Sequence, residues 1–371
     1  MALSGKRVLI TGGAGFIGTT LARRLVDTNQ VVAVDNLHRD VLANTPVAKH
    51  PNFELHRADV LDGDTVRELA RGATHIVHCA AIAGVDTVRE SPVRTMRVNM
   101  VGTYNVLEAA LATADTLERL VEFSTSEVFG TRAINAREGQ VTTIGSVGEA
   151  RWTYAVSKLA GEHMAHAYHD ELGLPAVTVR PFNVYGPGQV GGGAIRAFIE
   201  AALAGDDLVI HGDGSQIRAW CYVDDMVEAV LLCLEHPRAV GQSFNVGNPR
   251  STVTIHDLAR RIKLLTGCPG ELGLADLGPR EADYVSAGLR ARYHAIVLSR
   301  PSSRSTLASK PSSSRALSTF GIRSSTSVQS TSWTRTRCGS WRREPRTSST
   351  APRSPASTPC SRARCGRCAS T

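Results

Sequence analysis

Apolar positions recur along the first three quarters of the chain with two alternating periods. Short apolar runs at residues 7–11, 31–35, 53–57, 75–79, 120–124 and 176–180 have the length and β-branched content of buried strands. Between them, residues 17–28, 64–71, 91–112 and 154–172 carry apolar side chains three and four positions apart, which gathers them on one helix face. Strand and helix in alternation predict an α/β fold, a doubly wound parallel sheet covered by helices on both faces. After a turn-rich stretch at 187–193 the pattern changes to a helix over 194–204, a short strand at 208–211, a helix over 223–236 and a strand at 243–246. That second series predicts a smaller C-terminal domain. Beyond about Val285 periodicity is lost and Ser, Arg, Thr, Pro and Ala dominate.

Composition sharpens the division. The 371 residues are 42% hydrophobic, enough for a sizeable core. The net charge of +8 is not spread evenly: residues 286–371 hold 16 Arg or Lys against one acid, Glu344, for +15, leaving residues 1–285 at −7. The body therefore has no basic footprint for nucleic acid, and no nucleic-acid partner is expected. The residues after Met1 lack the pattern of a secretory leader, and no apolar run approaches the ~18 residues of a spanning helix, so the expectation is a cytoplasmic protein with no membrane partner. Cys79, Cys221, Cys233 and Cys268 sit among apolar neighbours and read as buried thiols. Cys338, Cys360, Cys365 and Cys368 have no paired ligand set around them, so no metal is expected. The 286–371 tail reads as a disordered Ser/Arg-rich segment or, in preference, as the product of a reading-frame change.

The first strand runs into Gly12-Gly13-Ala14-Gly15-Phe16-Ile17-Gly18, a turn with glycines at 12, 15 and 18 that opens the first helix. Glycines there permit a tight turn and close backbone approach, and the helix start offers N–H groups to a pyrophosphate. Asp35, at the end of the second strand, can accept ribose hydroxyls and repel a 2′-phosphate, which favours NAD over NADP. The domain reading is accordingly a mainly NAD-binding Rossmann-type domain at 1–187 and a mainly substrate-binding domain at 188–285. Tyr154 and Lys158 are four residues apart on one helix face, where an ammonium can lower the pKa of a phenol that is otherwise about 10. Ser124-Thr125-Ser126-Glu127 follows an apolar strand and brings hydroxyls and a carboxylate to the carboxyl end of the sheet.

With these segments, His78-Cys79-Ala80-Ala81, Asn99-Met100-Val101-Gly102-Thr103, Arg180-Pro181-Phe182-Asn183-Val184-Tyr185-Gly186-Pro187 and Gly212-Asp213-Gly214-Ser215-Gln216-Ile217-Arg218 follow in order. The series resembles the extended short-chain dehydrogenase/reductase family of nucleotide-sugar epimerases, dehydratases and decarboxylases. The resemblance implies that Gly12, Gly15, Phe16, Ile17, Gly18, Asp35, Asp59, Val60, Ala80 and Ala81 line the cofactor and that Asn99 supports the active-site helix. It further implies that Thr125 holds the sugar O4, Tyr154 takes its proton, and Lys158 binds the nicotinamide ribose. Asn183, Arg218 and Arg280 would reach the diphosphate of a nucleotide-diphosphate sugar, a task that suits a guanidinium. A homodimer through the helices at 91–112 and 154–172 is implied as well.

In such enzymes the hydrogen at sugar C4 passes to NAD and a 4-keto sugar results, after which water, carbon dioxide or nothing leaves. Thr125-Ser126-Glu127 resembles both the GDP-mannose-type dehydratases and the uronate decarboxylases and argues against plain epimerisation; a 4,6-dehydratase is favoured, in which Glu127 would take the C5 proton. Decarboxylation of a uronate is the alternative, followed by C4 epimerisation, and a catalytically impaired NAD-binding subunit is the non-enzyme alternative. Ser126 stands where many dehydratases have Asp. Gly188 and Gly191 to Gly193 occupy the region where the decarboxylases usually have an arginine.

Overall fold

The computed structural model describes residues 3–132, 136–150 and 152–275, and the backbone of two short strands near the C-terminus. The first half of the described chain runs β1 (Arg7–Thr11), α1 (Phe16–Leu25), β2 (Gln30–Asp35), β3 (Phe53–Arg57), α2 (Gly63–Ala70), β4 (His75–His78), α3 (Val85–Glu90), α4 (Pro92–Met96), α5 (Gly102–Ala112), β5 (Arg119–Phe123), α6 (Trp152–Leu172) and β6 (Ala176–Pro181). There follow β7 (Val184–Tyr185), α7 (Ala194–Ala204), β8 (Leu208–His211), β9 (Ile217–Ala219), β10 (Cys221–Tyr222), α8 (Val223–Glu235), β11 (Ser243–Val246), β12 (Thr252–Thr254), α9 (Ile255–Thr266) and β13 (Leu272–Ala275).

Seven strands form one parallel sheet in the order β3-β2-β1-β4-β5-β6-β11. The chain builds outward from β1 to β3, then crosses back to β4 on the other side of β1. That reversal opens a crevice at the carboxyl ends of β1 and β4, the place where open α/β sheets bind ligands. Alternate residues of each strand feed opposite faces. Val8 and Ile10 join Val77, Val121, Met226 and Val230 under α1 and α8, whereas Leu9 joins Val32, Ile76, Val106 and Leu120 under α2, α5 and α6. Burial on both faces explains why these strands read as nearly continuous apolar runs.

The 223–236 helix and the 243–246 strand, which the linear pattern groups with the second domain, join the main sheet instead. Helix α8 buries Met226, Val227 and Val230 on the same face as α1, and β11 extends the sheet beyond β6. Periodicity tells which side of a helix is buried, and not which layer buries it. The remaining elements form a smaller lobe, in which Phe198, Leu208, Ile210, Trp220, Leu258 and Ile262 share a core.

The helix expected over 91–112 begins at Pro92 and is interrupted by one π-helical turn, Arg97–Val101, before α5. Among the described residues no helix is long and apolar enough to cross a membrane, and no cluster of His, Cys, Asp or Glu is arranged to hold a metal. The tail at 286–371 lies outside the described residues, apart from the backbone of an antiparallel hairpin, β14 (Trp333–Arg335) with β15 (Trp341–Arg343).

Candidate active site

The turn after β1 is shaped by backbone approach. Gly12 has φ of +70°, and a Cβ there would lie 2.7 Å from the amide nitrogen of Ala80, at the end of β4. At Gly18 a Cβ would fall 2.3 Å from the Gly12 carbonyl oxygen, so this glycine lets α1 close onto the turn. Gly15 caps α1 in an extended conformation without a side-chain hydrogen bond, which leaves the first turn, with half-buried Phe16 and Ile17, open to a ligand. Asp35 accepts from Ala14 N (3.1 Å) and Leu37 N (2.8 Å), and burial raises its pKa. Asp59 accepts from Asn36 Nδ2 (3.2 Å) and Leu61 N (3.0 Å). Val60 is buried beneath Gly102, where a Cβ would come within 2.6 Å of Val60 Cγ2. A side-chain-free cradle, an uncapped helix start and a carboxylate on the neighbouring strand together fit a dinucleotide.

Ala80 and Ala81 are half-buried, and a hydrogen-bond relay ends on the Ala80 amide. The Thr103 hydroxyl donates to the Asn99 carbonyl (2.7 Å), so it accepts from His78 Nε2 (3.0 Å). His78 Nδ1 then accepts from Thr11 Oγ1 (2.6 Å), which accepts from the Ala80 amide (3.4 Å). This assigns the Nε2–H tautomer to a neutral imidazole, whose pKa burial holds well below the ordinary value. The Asn99 side chain is wholly buried. It accepts from Ile82 N (2.8 Å) and donates to Ile82 O (3.1 Å) and Ser157 Oγ (3.0 Å), while Ser157 donates to the Tyr154 carbonyl (2.8 Å). Asn99 thus ties the segment after β4 to the first turns of α6. It sits in the π-helical turn, a feature frequent at functional sites.

At the end of β5 the structure brings Thr125, Glu127 and Tyr154 together. The Thr125 hydroxyl accepts from Glu127 N (3.2 Å) and lies close enough to the Tyr154 phenol to favour its ionised form. Burial raises the phenol well above its usual pKa, and the Glu127 and Glu122 carboxylates add to that rise. Lys158 lies one turn on, and its ammonium meets Glu122 Oε1 at 2.9 Å. One turn further, Glu162 pairs with Arg180, and that guanidinium with the Ser243 hydroxyl outweighs burial and lowers the Glu162 pKa.

The smaller lobe supplies the opposite side. Asn183 donates to Ala219 O (3.0 Å) and accepts from Cys221 N (3.0 Å), which stitches the segment after β6 to β9 and β10. Arg218 is exposed on β9, beside Ala219. Arg280 lies outside the described residues. Sequence reasoning missed Glu122 and Arg39. A carboxylate inside the apolar run of β5 was a signal for the first, since such a group is rarely buried without a partner. Nothing in the sequence marked Arg39, which donates to Thr87 Oγ1 (3.0 Å) and whose Cζ would lie 3.2 Å from a Cβ on Gly191.

Comparison with known proteins gives one family, the NAD-dependent epimerase/dehydratase family, matching residues 8–247. A UDP-N-acetyl-α-D-glucosaminuronate decarboxylase from Bacillus cytotoxicus is 36% identical over 272 residues, covering 70% of this chain and 80% of that protein. A trifunctional UDP-glucose 4,6-dehydratase/3,5-epimerase/reductase from Arabidopsis thaliana is 34% identical over 264 residues, 69% of this chain, but the match spans only 39% of that longer protein. Among solved structures, UDP-glucuronic acid 4-epimerase from Bacillus cereus in complex with NAD is similar with a TM-score of 0.64 and 28% identity, covering 73% of this chain and 87% of that one.

Proposed function

The chain belongs to the NAD-dependent epimerase/dehydratase family, with NAD as its cofactor, and from that premise we propose that it oxidises a UDP-hexuronate at C4 and releases its C6 carboxylate as carbon dioxide. The observation that carries the reading is the grouping of Thr125, Glu127 and Tyr154 with serine at 126. Tyr154 takes the proton of the C4 hydroxyl that Thr125 holds; burial keeps the phenol protonated in the protein alone, and the positive charge that NAD supplies when bound would lower its pKa. Bound NAD supplies the redox chemistry at C4, held by the glycine turn, Asp35, Asp59, Val60, Ala80 and Ala81. A ketone at C4 makes a C6 carboxylate a β-keto acid, which can lose carbon dioxide without a proton being delivered to the leaving group. Elimination of a C6 hydroxyl needs such a proton, and Ser126 is a far weaker acid than the Asp of many dehydratases. Glu127 is then the group beside Tyr154 that manages the proton at C5. Arg39 offers a guanidinium to the glycine stretch at 191, and we assign it to the substrate's C6 carboxylate. Asn183 and Arg218 are assigned to the diphosphate.

The 36% identity to a uronate decarboxylase supports this order, and the dehydratase relative keeps 4,6-elimination, with Glu127 as the C5 base, as the second reading. The test is mass spectrometry of products after the NAD-loaded protein meets UDP-glucuronate, UDP-N-acetylglucosaminuronate, UDP-glucose and UDP-N-acetylglucosamine. Loss of carbon dioxide from a uronate is expected. Loss of water from a hexose would overturn it in favour of the dehydratase, and an isomer of unchanged mass would make the chain an epimerase.

A further inference from the structure

Beneath the active-site helix lies a charge pair that the reaction scheme above does not use. Glu122 and Lys158 are each about 1% exposed, and Lys158 Nζ stands 2.9 Å from Glu122 Oε1. Gly161, on the turn of α6 above, makes room for the carboxylate, since a Cβ there would lie 3.2 Å from Oε1. The second oxygen, Oε2, has no hydrogen-bond partner among the described residues. His78 Nε2 is 3.9 Å away, and its proton is committed to Thr103. A half-satisfied buried carboxylate is costly: burial raises the Glu122 pKa, and the Lys158 ammonium offsets that in part. That same ammonium belongs to the residue four positions after Tyr154.

We propose that Glu122 is a positioning residue of the proton-transfer site, one that draws the Lys158 ammonium to its own carboxylate and so limits how much of that positive charge reaches Tyr154. The inference rests on the reading of Tyr154 as the group that exchanges a proton with the substrate hydroxyl. Burial already holds the Tyr154 phenol above its ordinary pKa. The Lys158 ammonium, four positions on, favours the phenolate, and Glu122 opposes that both directly and by holding Lys158, so the pair sets how far the phenol must come down before it can take the substrate's proton. The other titratable groups around the pair contribute less. From β4, burial keeps His78 neutral and keeps the Cys79 thiol protonated. From α6, Glu162 is matched by Arg180. From the loop after β5, Glu127 acts on Tyr154 from the open side of the site.

The experiment is an ultraviolet difference titration of tyrosinate in the NAD-loaded protein, taken as the full chain minus Tyr154→Phe, with and without Glu122→Gln. The expected result is a Tyr154 titration about one pH unit lower in Glu122→Gln, with the acid limb of kcat/KM moving the same way. Glu122→Asp keeps the charge and withdraws it by one methylene, so it serves if the Gln variant does not fold, and a smaller shift in the same direction is expected. An unmoved titration overturns the proposal, as does a shift to higher pH, which would mean that Lys158 loses its proton without its counter-ion. Because the titration needs no sugar, the two readings fail separately. Sugar turnover with an unshifted titration removes the role of Glu122 alone, whereas a shifted titration with no sugar turned over counts against the proposed function and leaves the coupling in place.

Discussion

Arg39 donates to Thr87 on α3 and lies against Gly191, so one guanidinium bridges the loop after β2, the start of α3 and the glycine stretch. If it holds a substrate carboxylate, Arg39→Met should raise KM for the UDP-hexuronate about tenfold or more while NAD retention stays as in the parent, since a charge-assisted contact contributes about 1.5–3 kcal/mol. Loss of NAD with unchanged KM would assign Arg39 to the dinucleotide instead. His75 is a second residue with a readable consequence. Its ring is buried beside Thr74, and burial pushes its pKa down to about 4. Below about pH 6.5 the unfolded chain takes a proton there that the folded chain refuses, so this contribution to stability is whole above 6.5 and is lost as pH falls toward 4. Replacing His75 with Asn should therefore shrink the drop in Tm between pH 7 and 5, measured by thermal unfolding. The residues with chemistry in their type stood out in the sequence, and the fold sets Gly12, Asp35, Thr125 and Glu127 at or just after the ends of β1, β2 and β5, with Tyr154 in the first turn of α6. Arg39 did not stand out, because an arginine in a polar loop looks the same whether it faces water or a site.

The elements carry the site by fixing angles between such residues. Apolar runs and helical spacing located β1 to β6, α1, α2 and α6 within a few residues, because a parallel sheet buried on both faces imposes its pattern on sequence directly. The π-helical turn at Arg97–Val101 left no comparable mark, since one extra residue in a helical turn shifts the face of everything after it without breaking the apolar spacing on either side. Its result is the placement of Asn99 between Ile82 and Ser157. Asn99→Ala would leave the part-buried Ile82 amide and carbonyl without this partner, and the Ser157 hydroxyl with only its bond to the Tyr154 carbonyl. Each lost partner costs about 1–3 kcal/mol, so a clear fall in Tm is expected, together with weaker NAD retention because Ile82 adjoins the cofactor segment. A variant with normal Tm and normal NAD retention would show that the link between β4 and α6 is made elsewhere. The layer membership of α8 and β11 escaped the sequence for a different reason: it depends on where the chain returns after the smaller lobe, which local pattern does not encode.

At the scale of the whole molecule, the helices at 92–112 and 152–172 carry an apolar surface that the other described residues leave exposed. Val93 is 81% exposed, and Val101, Tyr104 and Val156 are each more than a third exposed. Val93, Val101 and Tyr104 follow one another at near-helical spacing, so they form a stripe, and α6 lies beside α4. Contiguous apolar surface of this kind marks an interface more often than it is left in water. A second copy of the chain, related by a two-fold axis, would set the same stripe against itself and pair two helices from each subunit. The body's charge of about −7 opposes close approach only weakly at physiological ionic strength, where it is screened over about 8 Å. The expected outcome is a dimer in sedimentation velocity at micromolar concentration. Replacing Val101 and Tyr104 together with Glu should give a monomer, because like charges would then face each other across the axis in a site that excludes water. The glycine turn, Asp35, Asp59 and Val60 all come from one chain, so that monomer should still bind NAD. A wild-type chain that sediments as a monomer, or a double variant that remains dimeric, would place the contact on another surface and leave this stripe to a different partner.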